Sequence, residues 1–357
     1  MDKINYIAFI GSFLSVVIVT PFVIKLALKI GAVDQPNKRK VHLKPMPRIG
    51  GLAIFIGVVI GYFISGVYFI PITAISLGGI VILLLGIWDD LKTLSAKTKL
   101  FVQMLAAVIV ISSGLLIEVV HIPLLGTYNI GFFSYPLTLL WIVGITNSIN
   151  LIDGLDGLAT GVSSIILITI GSLALIHGKT LILTFCVILL GSLLGFLFYN
   201  FNPAKIFLGD MGALFIGYSI AVISLLGLYK SVTLFSIFVP LLLLGVPLFD
   251  TLFAIIRRTV NQTGIMSPDK NHLHHRLMSK GLSHKNAVLF IYGMGLIFSI
   301  IAITSAYTPL WGTIIMLLVL LVFLELLAEA IGLVNEKFNP IISLLRLMKD
   351  KTKKTEP

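Results

Sequence analysis

The stretch that organises the chain reads Gly86-Ile-Trp-Asp-Asp-Leu-Lys-Thr-Leu-Ser-Ala-Lys-Thr-Lys99. Its two acidic residues, Asp89 and Asp90, follow an apolar run that is long enough, with its flanks, to cross a bilayer. Adjacent carboxylates at the end of a membrane helix repel each other and resist desolvation, so packing alone does not account for them. Such a pair of carboxylates can bind a divalent cation or a cationic partner, or transfer a proton. The lysines that follow can bind phosphate oxygens. We therefore expect the other polar segments of the chain to converge on this loop.

The composition is that of an integral membrane protein. Mean hydropathy is +1.07, and 11% of the 357 residues are charged, against roughly 25% in soluble domains. Apolar runs of about 20 residues predict an all-α polytopic membrane protein with eleven transmembrane helices. The predicted helices cover residues 4–29, 49–68, 71–88, 99–117, 134–152, 157–177, 180–199, 212–229, 232–256, 287–307 and 310–334. One transmembrane domain, residues 1–334, is followed by a basic tail, residues 335–357.

The distribution of Lys and Arg predicts the orientation of these helices. If the connections alternate between two sides, one side holds 23 of the 26 Lys and Arg residues. Such an excess marks the cytoplasmic face, so the N-terminus is expected outside and the C-terminus inside. The cytoplasmic segments are then 31–48, 89–98, 153–156, 200–211, 257–286 and the tail. The net charge of +11 is mainly a topology signal and gives no support to nucleic-acid binding.

Residues 144–157 carry a cluster of oxygen ligands. Asn147, Asn150 and Asp153 recur every third residue, which places them near one face of a helix end. Asp156 follows on a turn flanked by glycines. Carboxylate and amide oxygens suit Mg²⁺, which lets substrate phosphates and water complete its coordination, and Mn²⁺ is an alternative. Capping of two helix ends is the structural alternative, although it explains one acidic residue better than two.

Two further cytoplasmic loops carry candidates for binding an anionic ligand. In the first, prolines and a glycine pair fix the backbone where the chain re-enters the membrane, and His42 and Arg48 are the candidate contacts. In the loop before residue 212, Asp210 is either the N-cap of the next helix or a ligand-binding residue. Phe207, three residues earlier, either stacks on a base or packs in the core.

The segment His272-Leu-His-His-Arg276 has a simple interpretation, a solvated basic loop, and two functional ones. Three histidines in four residues are compatible with zinc binding, but no Glu or Cys completes a familiar zinc spacing. The better interpretation is donation to a diphosphate by His272, His274, His275 and Arg276. Asp250, an intramembrane carboxylate, is a functional or ion-pair candidate whose role stays open.

Four motifs, in this order, resemble those of the polyprenyl-phosphate sugar-1-phosphate transferases. They are Asp89-Asp90, Asn147-Ser-Ile-Asn-Leu-Ile-Asp-Gly-Leu-Asp-Gly157, Phe207-Leu-Gly-Asp210 and His272-Leu-His-His-Arg276. The resemblance runs from about Asp34 to His275 and includes the number of helices. Within the family the chain looks like the bacterial undecaprenyl-phosphate N-acetylglucosamine-1-phosphate transferases that begin teichoic acid, O-antigen or related glycans. The peptidoglycan branch typically has a continuous run of three histidines, which Leu273 interrupts here.

The resemblance implies a reaction and its partners. N-acetylglucosamine-1-phosphate would pass from UDP-N-acetylglucosamine to undecaprenyl phosphate at the bacterial cell membrane, with release of UMP. A homodimer and a monomer both stay open. Rival interpretations are another UDP-N-acetyl amino sugar or UDP-N-acetylmuramoyl-pentapeptide as the donor, a secondary transporter, and a zinc-dependent intramembrane hydrolase.

The resemblance also implies which residues bind the cation and the nucleotide. Asp210 resembles the principal Mg²⁺ ligand, and Asn150 resembles a second one. Asp156 and Phe207 resemble residues that hold uracil and stack on it. Asp153 is grouped with them as a substrate-binding residue.

A third group of matched residues concerns the reacting phosphates. The resemblance assigns the grip on the diphosphate to Lys99, His272, His274, His275 and Arg276. Asp89 and Asp90 correspond to the catalytic pair. Asp90 would deprotonate or orient the lipid phosphate, and a covalent phospho-aspartate is the alternative mechanism.

Overall fold

The computed structural model describes residues 2–35, 45–67, 72–122, 126–228, 238–260, 262 and 272–332. The helices in these ranges are α1 (Lys3–Ile30), α2 (Gly51–Ser65), α3 (Ile72–Leu91), α4 (Ala96–Ser112), α5 (Ser134–Ile152), α6 (Leu158–Ile176), α7 (Thr180–Asn200), α8 (Gly209–Leu228), α9 (Phe238–Leu243), α10 (Gly245–Val260), α11 (Leu273–Ser279), α12 (His284–Ser305) and α13 (Leu310–Ile331). Two antiparallel ribbons pair β1 (Val33–Asp34) with β2 (Met46–Pro47) and β3 (Val119–Ile122) with β4 (Gly126–Asn129). The all-α prediction missed these ribbons, because such short strands leave no alternating pattern to read.

Eight helices in the described ranges are long and apolar enough to cross a membrane. They are α1, α3, α5 with the turn before it, α6, α7, α8, α12, and α13 from Trp311 onward. The prediction of a mainly helical, multi-pass membrane protein is therefore confirmed.

Two predicted helices are shorter than expected. The predicted helix 49–68 is observed as α2, which has 15 residues. The predicted helix 99–117 is observed as α4, which has 17 residues and starts earlier. Ser95 sets that start, because its hydroxyl accepts a hydrogen bond from the N–H of Thr98 at 3.1 Å and so caps the helix.

The predicted helix 232–256 is wrong as a continuous element. Within the described part of this region, α9 ends at Leu243 and α10 begins at Gly245. Pro247 has no N–H to donate to the carbonyl of Leu243, so the helical ladder lacks a bond at this turn. The break separates α9 from α10, the helix that carries Asp250.

Helix α8 lies at the centre of the bundle, against α2, α3, α5, α6 and α7. Its apolar span is the most buried of the eight. Trp141 on α5 donates from Nε1 to the hydroxyl of Ser224 on α8 at 3.0 Å. The amide of Asn147 donates to Oε1 of Gln103 on α4 at 2.5 Å. Such pairs hold neighbouring helices in register, because an unpaired amide is costly in an apolar interior; Asn147 therefore joins two helices instead of facing the site.

A ladder of main-chain hydrogen bonds fixes the entry to α2 against the start of α8. The N–H of Phe207 donates to the carbonyl of Pro47 at 2.8 Å, and the N–H of Gly50 donates back to the carbonyl of Phe207 at 3.1 Å. A third bond joins the N–H of Gly51 to the carbonyl of Leu208 at 3.0 Å. This ladder brings residue 48 next to the first turn of α8.

Candidate active site

Arg48 joins two carboxylates that are far apart in the sequence. Its Nε lies 3.1 Å from Oδ1 of Asp90, and its Nη2 lies 2.7 Å from Oδ2 of Asp210. Burial lowers the pKa of Arg48, but the charges of Asp90, Asp210 and Asp34 outweigh it, so the pKa is raised above its ordinary value. The guanidinium is therefore a permanent cation at the junction of α3 and α8.

Asp90 is enclosed at this junction. Its two carboxylate oxygens accept hydrogen bonds from the N–H groups of Asp210 and Met211, each at 3.0 Å, and its side chain is 0% exposed. A residue of α3 thus caps the N-terminus of α8. Gly209 has φ of +74°, and a side chain there would collide with the carbonyl of Arg48. The close approach of these groups depends on that glycine.

A second set of contacts reaches Asp210 from the other side. Lys99 Nζ lies 2.6 Å from Oδ2 of Asp89 and 3.7 Å from Oδ1 of Asp210. Nδ2 of Asn150 donates to the same Oδ1 at 2.9 Å. Asp89 also accepts from the N–H of Leu94 at 2.7 Å. The polar segments at the ends of α3, α4, α5 and α8 meet at Asp210, as the sequence led us to expect.

A cavity of about 450 Å³ opens beside this cluster. The predicted residues that line it are Arg48, Asn150, Asp153, Asp156, Phe207 and Asp210. Asp34 also lines it and was missed as a candidate. The signal available was a carboxylate directly after the first apolar run, on the side that otherwise collects cations.

Burial and neighbouring negative charges shift the pKa of one acid in the cavity, Asp153. Burial, followed by the negative charges of Asp210 and Asp90, raises the pKa of Asp153 to about 8. Asp153 is therefore largely protonated at neutral pH until a cation enters its neighbourhood.

The turn that carries Asp156 is held from two directions. Its Oδ2 accepts hydrogen bonds from Nδ2 of Asn202 at 3.0 Å and from the N–H of Ala204 at 3.1 Å. The N–H of Asp156 donates to Nε2 of His284 at 2.9 Å. The loop after α7 and the start of α12 thus fix this wall of the cavity.

The histidine segment lies behind this turn, and its residues are not among those that line the cavity. His272 is bonded to Asp250, with 2.9 Å between Nδ1 and Oδ2. His274 is 3% exposed, its ring packs against Gly154, and burial lowers its pKa to about 3. Neither ring lines the cavity in this structure. The grip on a diphosphate stays a prediction for both of them, as it does for the partly exposed Arg276 and the exposed His275.

The remaining predicted contact, His42, lies outside the described residues.

The polar side chains of the cavity have the chemistry of an open cation site. In the described ranges, no group of three or more His, Cys, Asp or Glu side chains is arranged to hold a metal by itself. Mg²⁺ needs fewer protein ligands, because water and substrate phosphates complete its octahedron. The oxygens of Asp210, Asp153 and Asn150 around one cavity have the chemistry for such an open site. The residues present therefore fit Mg²⁺ bound together with a phosphorylated ligand.

Comparisons with known proteins identify relatives over most of the chain. Residues 72–228 match the family described as "Glycosyl transferase family 4". The chain is 56% identical over 336 residues, 94% of each protein, to "Probable undecaprenyl-phosphate N-acetylglucosaminyl 1-phosphate transferase" of Bacillus subtilis. It is 39% identical over 298 residues to "Decaprenyl-phosphate N-acetylglucosaminephosphotransferase" of Mycobacterium tuberculosis, which covers 75% of this chain and 74% of the relative.

A more distant relative extends the same pattern. The chain is 28% identical over 307 residues to "Undecaprenyl-phosphate alpha-N-acetylglucosaminyl 1-phosphate transferase" of Salmonella typhi, over 82% of this chain and 83% of that one. Three of the four motifs quoted above, Asp89-Asp90, residues 147–157 and residues 207–210, fall within the family match over residues 72–228. The chain therefore belongs to glycosyl transferase family 4.

Proposed function

We propose that the protein transfers N-acetylglucosamine-1-phosphate from UDP-N-acetylglucosamine to undecaprenyl phosphate, releases UMP, and begins a lipid-linked surface glycan such as teichoic acid. The names of its relatives support this reaction. The observation that carries it is the convergence of Arg48, Lys99 and Asn150 on Asp210 beside a cavity walled by Phe207. Cations, an amide and one aromatic ring are what a nucleotide diphosphate needs for recognition.

The proposal includes eleven crossings with the site at the cytoplasmic face. In this proposal the shorter helices α2 and α4 and the broken pair α9–α10 would supply three crossings beside the eight long helices. The N-terminus is then outside, and the Lys and Arg excess lies on the side of the cavity. A lipid substrate explains why a membrane fold is needed, because its tail can stay in the bilayer while its phosphate reaches the cavity. A homodimer stays a prediction.

The donor would occupy the cavity with its uracil at Phe207 and Asp156. The ring of Phe207 offers a stacking surface, and the carboxylate of Asp156 is already oriented by Asn202 and by the N–H of Ala204. The diphosphate would then lie toward Arg48 and Lys99, which are the cations next to Asp210. Few of these groups would read the sugar ring, so another UDP-N-acetyl amino sugar is the second candidate donor.

The reaction exchanges one phosphate linkage for a similar one. An oxygen of the lipid phosphate bonds to the phosphorus that carries the sugar, the bond from that phosphorus to the bridging oxygen breaks, and its electron pair leaves with UMP. Because two anions must meet, catalysis rests chiefly on positioning and on neutralising charge. Arg48 is suited to this task, because substrate phosphates can replace Asp90 and Asp210 as the partners of its guanidinium.

Asp210, Asn150 and Asp153 are the residues that would hold Mg²⁺, or Mn²⁺ in its place. The ion, when bound, neutralises negative charge on the diphosphate and on the departing UMP. Lys99 pairs with Asp89 and also lies within reach of Asp210, so with Arg48 the protein supplies two cations of its own.

We assign Asp90 to orientation of the reacting groups. A nucleophile or a base must reach its target, and the side chain of Asp90 is 0% exposed with both oxygens engaged. The second pKa of a phosphate monoester is about 6, so at pH 8 the lipid phosphate has largely lost its second proton without help from a base. The arrangement therefore favours direct transfer over a phospho-aspartate intermediate.

Purified protein in detergent, with undecaprenyl phosphate, Mg²⁺ and a panel of UDP-sugars, tests the reaction through release of UMP. We expect release with UDP-N-acetylglucosamine that depends on the lipid phosphate. Release only with another amino sugar would keep the chemistry and change the donor. Binding of UDP-sugars without release from any of them would contradict the proposed function and favour a transporter.

The raised pKa of Asp153 predicts a pH dependence of cation binding. A cation binds the ionised carboxylate, so binding below pH 8 must release the proton that Asp153 holds. We expect the affinity for Mg²⁺ to rise about tenfold per pH unit between pH 6 and 8 and to level off above that range. Calorimetric titrations in buffers of different ionisation enthalpy measure both the affinity and the proton release.

The matched control for this dependence is Asp153→Asn, which removes the titrating group and keeps its shape. Its Mg²⁺ affinity should be weaker at pH 8 and nearly independent of pH. A wild-type affinity that does not change between pH 6 and 8 would show that Asp153 lies apart from the cation.

A further inference from the structure

Asp250 is a buried carboxylate that the proposed mechanism leaves without a role. It lies on α10, is 2% exposed, and engages both of its oxygens. Oδ1 accepts a hydrogen bond from the N–H of Leu273 at 2.7 Å, and Oδ2 lies 2.9 Å from Nδ1 of His272. Burying an acidic side chain inside a membrane protein costs free energy unless its oxygens are hydrogen-bonded. The contacts that satisfy both oxygens of Asp250 therefore favour one arrangement of the chain around it.

These contacts set the position of the histidine segment. His272 immediately precedes α11, and Leu273 is the first residue of that helix. α11 has seven residues, too few to hold its own position in isolation. Asp250 on α10 and the helix α12 that packs on α11 therefore determine where α11 lies.

The histidine segment in turn touches the wall of the cavity. The ring of His274 occupies the space where a side chain on residue 154 would stand, so Gly154 and His274 are in direct contact. Gly154 and Leu155 lie between Asp153 and Asp156, and all four residues line the cavity. A displacement of α11 would thus be transmitted to the two acids that face the donor and the cation.

We propose that Asp250 is a positioning residue for the donor site, acting through His272, His274 and Gly154 on the turn that carries Asp153 and Asp156. This inference rests on the proposed function, because it assigns that turn to the nucleotide side of the reaction. Asp250 itself touches neither the cavity nor the reacting atoms. In the proposed reaction the acceptor phosphate binds at the cluster around Asp210. Loss of the Asp250 contacts should therefore weaken binding of the donor more than binding of the acceptor.

The main experiment compares Asp250→Ala with Asp250→Asn in steady-state kinetics. The alanine variant loses both hydrogen bonds, and we expect its KM for UDP-N-acetylglucosamine to rise about tenfold or more. Its KM for undecaprenyl phosphate should stay within about twofold of wild type. The asparagine variant can accept from Leu273 and donate to His272 in its other tautomer, so it should recover most of the donor affinity.

Two further variants guard against a purely structural effect. Gly154→Ala introduces a methyl group that collides with the ring of His274 from the cavity side, so it should raise the donor KM without touching Asp250. Glu325→Gln removes a carboxylate from α13, which packs mainly on α12 within the described part of the chain, and should leave both KM values unchanged. Thermal unfolding in detergent measures how far each variant is destabilised.

The outcomes separate cleanly. A wild-type donor KM in Asp250→Ala overturns the proposal, and so does an equal rise of both KM values that Asp250→Asn fails to rescue. If Asp250→Ala does not fold, a wild-type donor KM in Gly154→Ala overturns it instead. If wild-type protein releases no UMP, the proposed function fails, and the affinity of each variant for UDP-N-acetylglucosamine, measured by calorimetry, still tests the positioning role.

Discussion

Replacing Asp210 with asparagine is expected to lower the rate of UMP release by about 1,000-fold or more. Asp210 is the group on which Arg48, Lys99 and Asn150 converge, and it is also the carboxylate best placed to hold Mg²⁺. The neutral amide would remove the counter-charge that two partly exposed cations share, and with it the strongest oxygen donor for the metal. Turnover at saturating Mg²⁺ and saturating substrates measures the loss directly.

The control for Asp210→Asn is Asp2→Asn, which removes an exposed carboxylate before the first turn of α1. Its turnover should equal that of wild type. The Mg²⁺ concentration that gives half-maximal activity should increase in Asp210→Asn, if any activity is measurable. A variant that keeps a tenth or more of the wild-type turnover at ordinary Mg²⁺ would remove Asp210 from the centre of the mechanism.

Replacing Asp90 with asparagine is expected to lower turnover by about 100-fold. The carboxylate accepts from the N–H groups of Asp210 and Met211 and pairs with Arg48. An amide has one oxygen for these three donors, and its NH₂ group would face a donor. The first turn of α8 and the guanidinium of Arg48 would both shift, and with them the groups that receive the phosphates.

The pH dependence of Asp90→Asn distinguishes orientation from proton transfer. If Asp90 acted only as the base for the lipid phosphate, the variant should approach wild-type turnover at pH 8 to 9, where the phosphate is already ionised. Since we assign Asp90 to orientation, the loss of about 100-fold should persist at pH 8 to 9. Recovery of the variant's activity at pH 9 would contradict this assignment and favour Asp90 as the general base.

Much of the site could be predicted because its residues stand at the ends of apolar runs. Apolar length located most of the membrane helices, and the carboxylates and amides at their ends were chemically conspicuous in so apolar a chain. Asp89, Asp90, Asn150 and Asp210 were identified in this way. Their meeting place, however, is formed by contacts such as that of Arg48 with Asp210, which are 162 residues apart in sequence.

Two aspects of the site lie beyond what the sequence pattern reports. A sequence pattern reports which residue types are present but not which side of a loop faces the ligand. His272 and His274 were therefore assigned to the diphosphate, although one is bonded to Asp250 and the other packs on Gly154. Asp34 was passed over because a carboxylate at the end of the first helix has no neighbouring motif to draw attention to it.

The ladder between residues 47–51 and residues 207–208 has a consequence for how this site can change over time. All three of its hydrogen bonds join main-chain atoms. The side chains on it, such as that of Phe207, can therefore be exchanged to suit a different nucleotide or sugar without moving Arg48 from its place. An inserted or deleted residue would instead shift the guanidinium by a full residue repeat, roughly 3.3 Å. Spacing in this ladder is thus held rigidly. Gly50 and Gly51 admit no side chain, because a Cβ there would collide with main-chain atoms of Phe207 and Gly212, whereas position 207 is left open to diversification.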